Sequence, residues 1–139
     1  MSQPSNVEVV KRAIDAMNQG VDTNQRAELF AELMTPDFEW LPAMPGAVEG
    51  VSYRGREAVE AYFDESAEIW EEFHTVIEEF RDLGNRVLTL GRMEGRGAGS
   101  GLQIGTPLGQ VIDFRDAKIS RVHNYLGHGE ALRAAGLSE

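Results

Sequence analysis

Four polar residues in the predicted strands have side chains that could take part in chemistry, and two of them form a spaced pair. Arg92 and Glu94 are two positions apart in one strand, so their side chains point to the same face of the sheet. If they point inward, the guanidinium would keep Glu94 ionised and offer hydrogen-bond donors to a ligand carbonyl or carboxylate. Leu88 and Leu90 share that phase, which favours the inward orientation; an ion pair on the outer face is the alternative.

Asp113 is a further candidate for acid–base chemistry, because it interrupts an apolar predicted strand. A carboxyl group that points inward without a partner loses hydration, which favours its neutral form and suits it to proton transfer near neutral pH. A structural role is the alternative, with the carboxylate bonded to a neighbouring strand or paired with Arg92.

Asn124 alternates with Val122 and Leu126 along the last predicted strand. This spacing places the three side chains on one largely apolar face, which we expect to be the pocket side. There the amide could orient a ligand carbonyl by hydrogen bonding. A core amide whose hydrogen bonds are satisfied within the protein is the alternative.

The three histidines do not have the spacing of a metal site. His123 and His128 are five positions apart across the end of a predicted strand, so we expect them to face different directions, and His74 lies far from both in sequence. The chain has no cysteine to supply a thiolate. We therefore predict no metal site and no other cofactor.

The elements that must position these residues are predicted by hydrophobic spacing. Apolar residues recur at helical spacing in three N-terminal segments: Val7, Val10, Ile14 and Met17; Ala27, Phe30, Leu33 and Met34; and Val59, Tyr62, Phe63, Trp70 and Phe73. Residues 37–55, with their prolines and glycines, are predicted to be irregular. Strands are predicted at residues 75–80, 86–96, 102–106, 110–115 and 119–126, before a short helix at 130–135.

This order of elements predicts an α+β fold in a single domain over residues 1–139. Three N-terminal helices would pack on a curved antiparallel sheet and form a cone-shaped α+β barrel. Alternate residues of the central strands would line a pocket that is open at one end. We expect its apolar lining to come from Met17, Phe30, Trp40, Phe63, Val122 and Leu126, with Glu39 near the mouth. The alternatives are a core position for Trp40 and a solvated loop position for Glu39.

The composition excludes several kinds of partner. The net charge of −10 argues against nucleic acid, which requires basic residues to neutralise phosphates, and against an anionic membrane surface. No run of 18 apolar residues is present that could span a bilayer. The polar start of the chain does not resemble a signal peptide, and the absence of cysteine suits a reducing compartment, so we expect a cytoplasmic protein.

Several stretches resemble the SnoaL-like group of the nuclear transport factor 2-like, ketosteroid isomerase-like superfamily. They are residues 53–59 (YRGREAV) entering the third helix, the Ser100-Gly101 turn, and the closing run from residues 111–114 (VIDF) through Tyr125 to residues 135–137 (AGL). The likeness covers nearly the whole chain and implies the cone-shaped fold described above. It also implies a homodimer formed through the outer face of the sheet.

The catalytic positions of this superfamily are only partly present. Asp113 occupies the place of the aspartate that binds the substrate oxyanion in ketosteroid isomerases, but their tyrosine and general base would fall near Ala13 and Leu41. The resemblance therefore does not support isomerase activity. Residues 92–94 resemble the Arg-x-Asp pair of limonene-type epoxide hydrolases. The last-strand aspartate of those enzymes, which polyketide cyclases share, corresponds to Asn124, which cannot take a proton.

Two functional hypotheses follow. The first is a pocket protein for a small hydrophobic ligand that bears one or two oxygens. If it is an enzyme, it would carry out cofactor-free cyclisation, isomerisation or hydrolysis, with Asp113 or Glu94 moving a proton and Arg92 and Asn124 stabilising negative charge. The second is a non-catalytic domain that binds a metabolite or dimerises to serve a protein partner.

Overall fold

The structure, a computed structural model, describes residues 5–19, 23–42, 52–97, 99, 101 and 103–137. The helices in this part of the chain are α1 (Asn6–Gln19), α2 (Thr23–Leu33), α3 (Arg56–Ile69) and α4 (His128–Ala134). The strands are β1 (Met34–Leu41), β2 (Tyr53–Arg54), β3 (Trp70–Asp82), β4 (Arg86–Gly97), β5 (Gln103–Arg115) and β6 (Lys118–Tyr125). None of the helices described combines the length and apolarity needed to cross a bilayer.

The strands form one six-stranded sheet in the order β2-β1-β6-β5-β4-β3. Every neighbouring pair is antiparallel except β1 and β6, which run parallel. The sheet is therefore mixed, whereas the sequence predicted a wholly antiparallel one. The difference comes from β1, which follows α2 directly and pairs with the last strand of the chain rather than with a hairpin neighbour.

Strand β1 was missed because prolines suggested an irregular segment. Pro36 lies where the pairing of β1 with β6 shifts register, between Met34 and Glu39, so its missing N–H falls outside the regular ladder. Pro107 had the same effect in β5, which is one strand rather than the two predicted. Pairing of β5 with β6 begins only at Gly109, so the strand has no neighbour at Pro107 on that side among the described residues.

Helices α1, α2 and α3 pack on one face of the sheet, here called the inner face. Their contacts with the strands form the larger hydrophobic core, which is made of Val9, Val10, Ala13, Phe30, Leu33, Phe38, Val59, Val87, Ile112, Phe114, Ile119 and Val122. Helix α3 ends at Ile69, and Trp70 and Phe73, which the helical stripe had included, belong to β3.

Helix α4 packs on the opposite face, here called the outer face. It buries a second hydrophobic cluster that contains Leu88, Leu90, Val111, Ala131 and Leu132. The approach is so close that a Cβ atom at Gly109 would lie 2.3 Å from the Cβ of Ala131. Helices thus cover both faces of the central part of β4 and β5, which explains why residues 87–91 and 108–112 are buried without alternation.

Candidate functional site

Three polar side chains lie side by side across the inner face, and we call them the amide row: Thr89 on β4, Gln110 on β5 and Asn124 on β6. Their exposed fractions are 0%, 5% and 6%. The Thr89 hydroxyl donates a hydrogen bond to Gln110 Oε1 at 2.9 Å, and Gln110 Nε2 donates to Asn124 Oδ1 at 2.9 Å. Strand register creates the row, because Thr89 pairs with Gln110 and Gln110 with Asn124 across the sheet.

The direction of this hydrogen-bonded row is fixed by the main chain. Asn124 Nδ2 donates to the carbonyl oxygen of Leu41 at 2.9 Å, and only the nitrogen of the amide can do so. Asn124 Oδ1 must then face Gln110, which turns Gln110 Oε1 toward Thr89. The two amides are held in one orientation by groups at both ends of the row.

The amide row borders an apolar row that is one pair of residues further along the strands. Val87, Ile112 and Val122 are cross-strand neighbours within the inner core, and Trp40 pairs with Val122 from β1. Aromatic rings continue this surface: Trp40 lies 6.4 Å from Tyr62, and Tyr62 lies 4.8 Å from Tyr53, measured between ring centroids. The inner face thus combines a polar row with an apolar and aromatic one, and neither row contains a carboxylate, a histidine or a basic side chain.

The structure places Asn124 and Val122 on the inner face, as their alternation predicted. Phe30 belongs to the same inner core and packs edge-on against Phe38, at 5.6 Å between ring centroids. Trp40 packs against that core, partly buried. The side chains of Met17 and Phe63, which were also expected in the pocket, lie outside those that the structure describes.

Sequence reasoning missed Thr89 and Gln110. Each is a polar residue in a buried, otherwise apolar part of its strand, and each sits opposite the other in register. The sequence shows that each residue is polar among apolar neighbours, but it does not show the register that places the two opposite each other. Without the register, a lone threonine or glutamine in a strand has no identifiable partner.

The prediction that Arg92 and Glu94 point inward is wrong. Both lie on the outer side of β4 and are exposed, at 43% and 49% of their side chains. The Arg92 guanidinium lies 3.3 Å from Glu94 and 3.3 Å from Glu78 on β3, which is the surface ion pair named as the alternative. The phase argument failed because Leu88 and Leu90, which share this face, are buried by α4 rather than by the pocket.

Asp113 also lies on the outer face, so the prediction that it points inward is wrong. Its carboxylate accepts a hydrogen bond from Arg86 Nε at 2.7 Å, on the neighbouring strand β4. Asp113 pairs in register with Arg121 of β6, and Val111 of the same strand belongs to the cluster under α4. This is the structural carboxylate of the alternative reading, with Arg86 rather than Arg92 as its partner.

Glu39 and Leu126 are likewise not part of the inner surface. Glu39 is bracketed by two outer-face arginines, with Arg121 at 3.4 Å and Arg54 at 3.7 Å, and it is in β1 rather than at the start of a loop. Leu126 follows the last residue of β6 and is 36% exposed. The alternation that included Leu126 ends with the strand, at Tyr125.

Ion pairs on the outer face form an alternating line that we call the charge ladder. It crosses five strands in register and consists of Arg86, Asp113, Arg121, Glu39 and Arg54. Beside it, the rings of His123 and Tyr125 stack at 4.2 Å between centroids. Burial, followed by the charge of Arg121, lowers the pKa of His123, and burial raises the pKa of Tyr125.

The described fold is that of the cone-shaped α+β class that the sequence predicted. Residues 10–122 match the SnoaL-like domain, so the chain belongs to the SnoaL-like family. The predicted family and fold are both confirmed. Membership supports a small-molecule-binding function of the kind that includes isomerases and cyclases.

Several solved structures have this fold. An NTF2-like protein from Burkholderia pseudomallei K96243 superposes with a TM-score of 0.73 at 18% identity, covering 94% of this chain and 97% of that one. TerC, co-crystallised with polyporic acid, gives a TM-score of 0.71 at 19% identity, covering 95% and 96%. A protein with a ketosteroid isomerase-like fold from Catenulispora acidiphila DSM 44928, in complex with trimethylamine, gives 0.70 at 19%, covering 94% and 93%. No protein with a curated functional description matches the sequence.

Proposed function

We propose that this chain binds a hydrophobic small molecule that bears an oxygen, on the inner face of the sheet. The observation that carries the proposal is the amide row, which sets hydrogen-bonding groups beside an apolar and aromatic surface. Ligand pockets typically combine these two features. The structural relatives that hold polyporic acid and trimethylamine support the proposal by fold.

Of the four residues that the sequence suggested as catalytic, the proposal gives a ligand-binding role to Asn124 alone, and it gives proton transfer to none of them. Asp113, Arg92 and Glu94 are engaged in ion pairs on the outer face, with the sheet between them and the amide row. Threonine, glutamine and asparagine side chains do not ionise near neutral pH, so they cannot act as a general acid or base. We therefore assign Asn124 the role of orienting a ligand.

The test uses Trp40 as a reporter, because it lies beside the amide row. The Trp70→Phe variant leaves Trp40 as the only tryptophan of the chain. We expect methyl naphthyl ketone to change the fluorescence of Trp40 saturably in this variant. The same titration is repeated after Asp113→Asn and Glu94→Gln are added together.

The outcome shows on which face of the sheet the ligand binds. Equal affinity with and without the outer-face changes supports the proposal, because these residues lie across the sheet from the ligand. An absence of saturable binding by the folded protein contradicts the proposed function. Loss of binding in the folded Asp113→Asn, Glu94→Gln variant would show that the outer-face carboxylates contribute to the binding site.

We further propose that the functional unit is a homodimer joined through the charge ladder. The ladder alternates in sign, with Arg86, Arg121 and Arg54 separated by Asp113 and Glu39. An alternating line of charge is complementary to a second copy of itself displaced by one position, which favours a twofold interface. Such a dimer would leave the inner face uncovered by the partner.

A further inference from the structure

The two amides of the amide row have hydrogen-bonding capacity that the described protein does not use. A primary amide carries two N–H hydrogens. Gln110 donates one of its hydrogens to Asn124, and Asn124 donates one to the carbonyl of Leu41. Among the described residues, the second hydrogen of either amide has no acceptor.

These two hydrogens are buried, since Gln110 is 5% exposed and Asn124 is 6% exposed. A buried donor without an acceptor is unfavourable, so nearly all such groups in proteins meet a partner, a water molecule or a ligand. The oxygen of each amide already accepts one hydrogen bond within the row, and a second lone pair left unused is tolerated better than a buried N–H without an acceptor. The row therefore presents donors to an occupant and calls for a group that accepts.

The charges near the row restrict the occupant further. The arginines nearest along these strands, Arg86, Arg92 and Arg121, all lie on the outer face. A ligand carboxylate at the amide row would be buried beside neutral amides and apolar side chains, and no cation of the described strands β4, β5 and β6 is shown on that face to offset its desolvation. A neutral acceptor meets no such penalty.

Building on the proposed function, we infer that the amide row recognises the oxygen of a neutral carbonyl, as in a ketone, quinone or ester, and discriminates against carboxylates. The fixed orientation of the two amides makes the row select a ligand that accepts hydrogen bonds. Because Leu41 fixes the amide of Asn124, and Asn124 fixes that of Gln110, neither amide can turn to present its oxygen without breaking a buried hydrogen bond.

The experiment compares three probes with one naphthalene skeleton: ethylnaphthalene, methyl naphthyl ketone and naphthoate. Affinities are measured on the full chain by isothermal titration calorimetry at neutral pH. We expect the ketone to bind about tenfold more tightly than ethylnaphthalene, as one to two neutral hydrogen bonds would give. Naphthoate should bind at least about tenfold more weakly than the ketone.

A pair of variants locates the effect. Gln110→Met removes one amide with little change in volume, and we expect it to reduce the advantage of the ketone over ethylnaphthalene severalfold. Gln103→Met, at an exposed position of the same strand, is the matched control and should leave the advantage intact. The comparison of probes on the unmodified protein holds whether or not Gln110→Met folds.

Each result has one meaning. Binding of naphthoate as tightly as the ketone overturns the carbonyl inference and leaves the proposed function standing. Binding of ethylnaphthalene as tightly as the ketone overturns the carbonyl inference and also the role of the ligand oxygen, and leaves only an apolar site on the inner face. Failure of all three probes to bind contradicts the proposed function itself. The expected order, with the advantage of the ketone reduced by Gln110→Met and kept by Gln103→Met, supports both.

Discussion

At the scale of single residues, the orientation of a strand side chain depends on which face its neighbours cover. Arg92 and Glu94 do share one face, as their spacing predicted, and Asp113 does interrupt an apolar strand. Their faces were misassigned because α4 buries Leu88, Leu90 and Val111 on the outer side of β4 and β5, so apolar residues lie on both faces of these strands. Asn124 was assigned to the inner face from its alternation with Val122 and Leu126, and the structure places it there because the N-terminal helices cover Val122.

An exposed ion pair gives a residue-scale prediction about pH. Arg115, by donating to the carboxylate of Asp37, lowers the pKa of Asp37 from 3.8 to about 2. A carboxyl group whose pKa is depressed by folding stabilises the protein above its unfolded-state pKa, and loses that contribution as pH falls to the folded value. Asp37→Asn should therefore destabilise the protein at neutral pH, and the difference from wild type should vanish between about pH 4 and pH 2.

The measurement is the free energy of unfolding in urea across that pH range. Asp116→Asn, in the exposed turn between β5 and β6, is the control and should follow the wild-type pH dependence. A wild-type pH dependence in Asp37→Asn would show that the ion pair with Arg115 does not contribute to stability in solution.

At the scale of elements, the sequence predicted helices and hairpin strands better than pairings between distant segments. The hairpin between β5 and β6 follows from a two-residue turn, in which Asp116 and Ala117 both have positive φ. Strand β1 depends instead on a partner about 80 residues away, β6, and Pro36 within it concealed it. The amide row has the same origin, because it exists only once register aligns three strands.

The packing of α4 gives an element-scale prediction. Gly109→Ala places a methyl group 2.3 Å from the Cβ of Ala131, so α4 must shift, at a cost of about 1–3 kcal/mol in unfolding free energy. Gly105→Ala, on the same strand with no atom within 4 Å of its Cβ, should change stability by no more than about 0.5 kcal/mol. Urea denaturation of both variants measures the difference.

Ligand affinity, measured in the same two alanine variants, should show that the outer face is separate from the binding site. Because α4 covers the outer face, Gly109→Ala is expected to leave the affinity for methyl naphthyl ketone unchanged while it lowers stability. Equal stability of the two alanine variants would contradict the close approach of α4 to β5. Weakened ketone binding in Gly109→Ala would show that the outer cluster is coupled to the inner face.

At the scale of the whole molecule, the sheet separates two surfaces with different chemistry. The inner face carries buried neutral amides beside apolar and aromatic side chains, and the outer face carries the charge ladder and α4. A net charge of −10 repels two copies at long range, so association would depend on local complementarity along the ladder. We expect a dimer whose affinity falls as salt concentration rises.

Reversing one charge of the ladder tests this assembly. Arg121→Glu sets three carboxylates in a row, with Asp113 and Glu39 on either side, and should convert the dimer to a monomer in sedimentation velocity experiments. Arg12→Glu, on α1 at the opposite side of the sheet, is the matched control and should remain dimeric. A monomeric wild type, or a dimeric Arg121→Glu variant, would contradict an interface through the ladder.

The most direct test of the central claim is a nuclear magnetic resonance titration of side-chain amides with methyl naphthyl ketone. Uniform nitrogen-15 labelling makes the NH₂ groups of Gln110, Asn124 and the exposed Gln103 visible in one spectrum. The proposed site predicts that the Gln110 and Asn124 signals shift saturably, with the affinity reported by Trp40, while Gln103 stays fixed. Saturable binding that leaves the Gln110 and Asn124 signals in place would contradict a ligand oxygen held by the amide row.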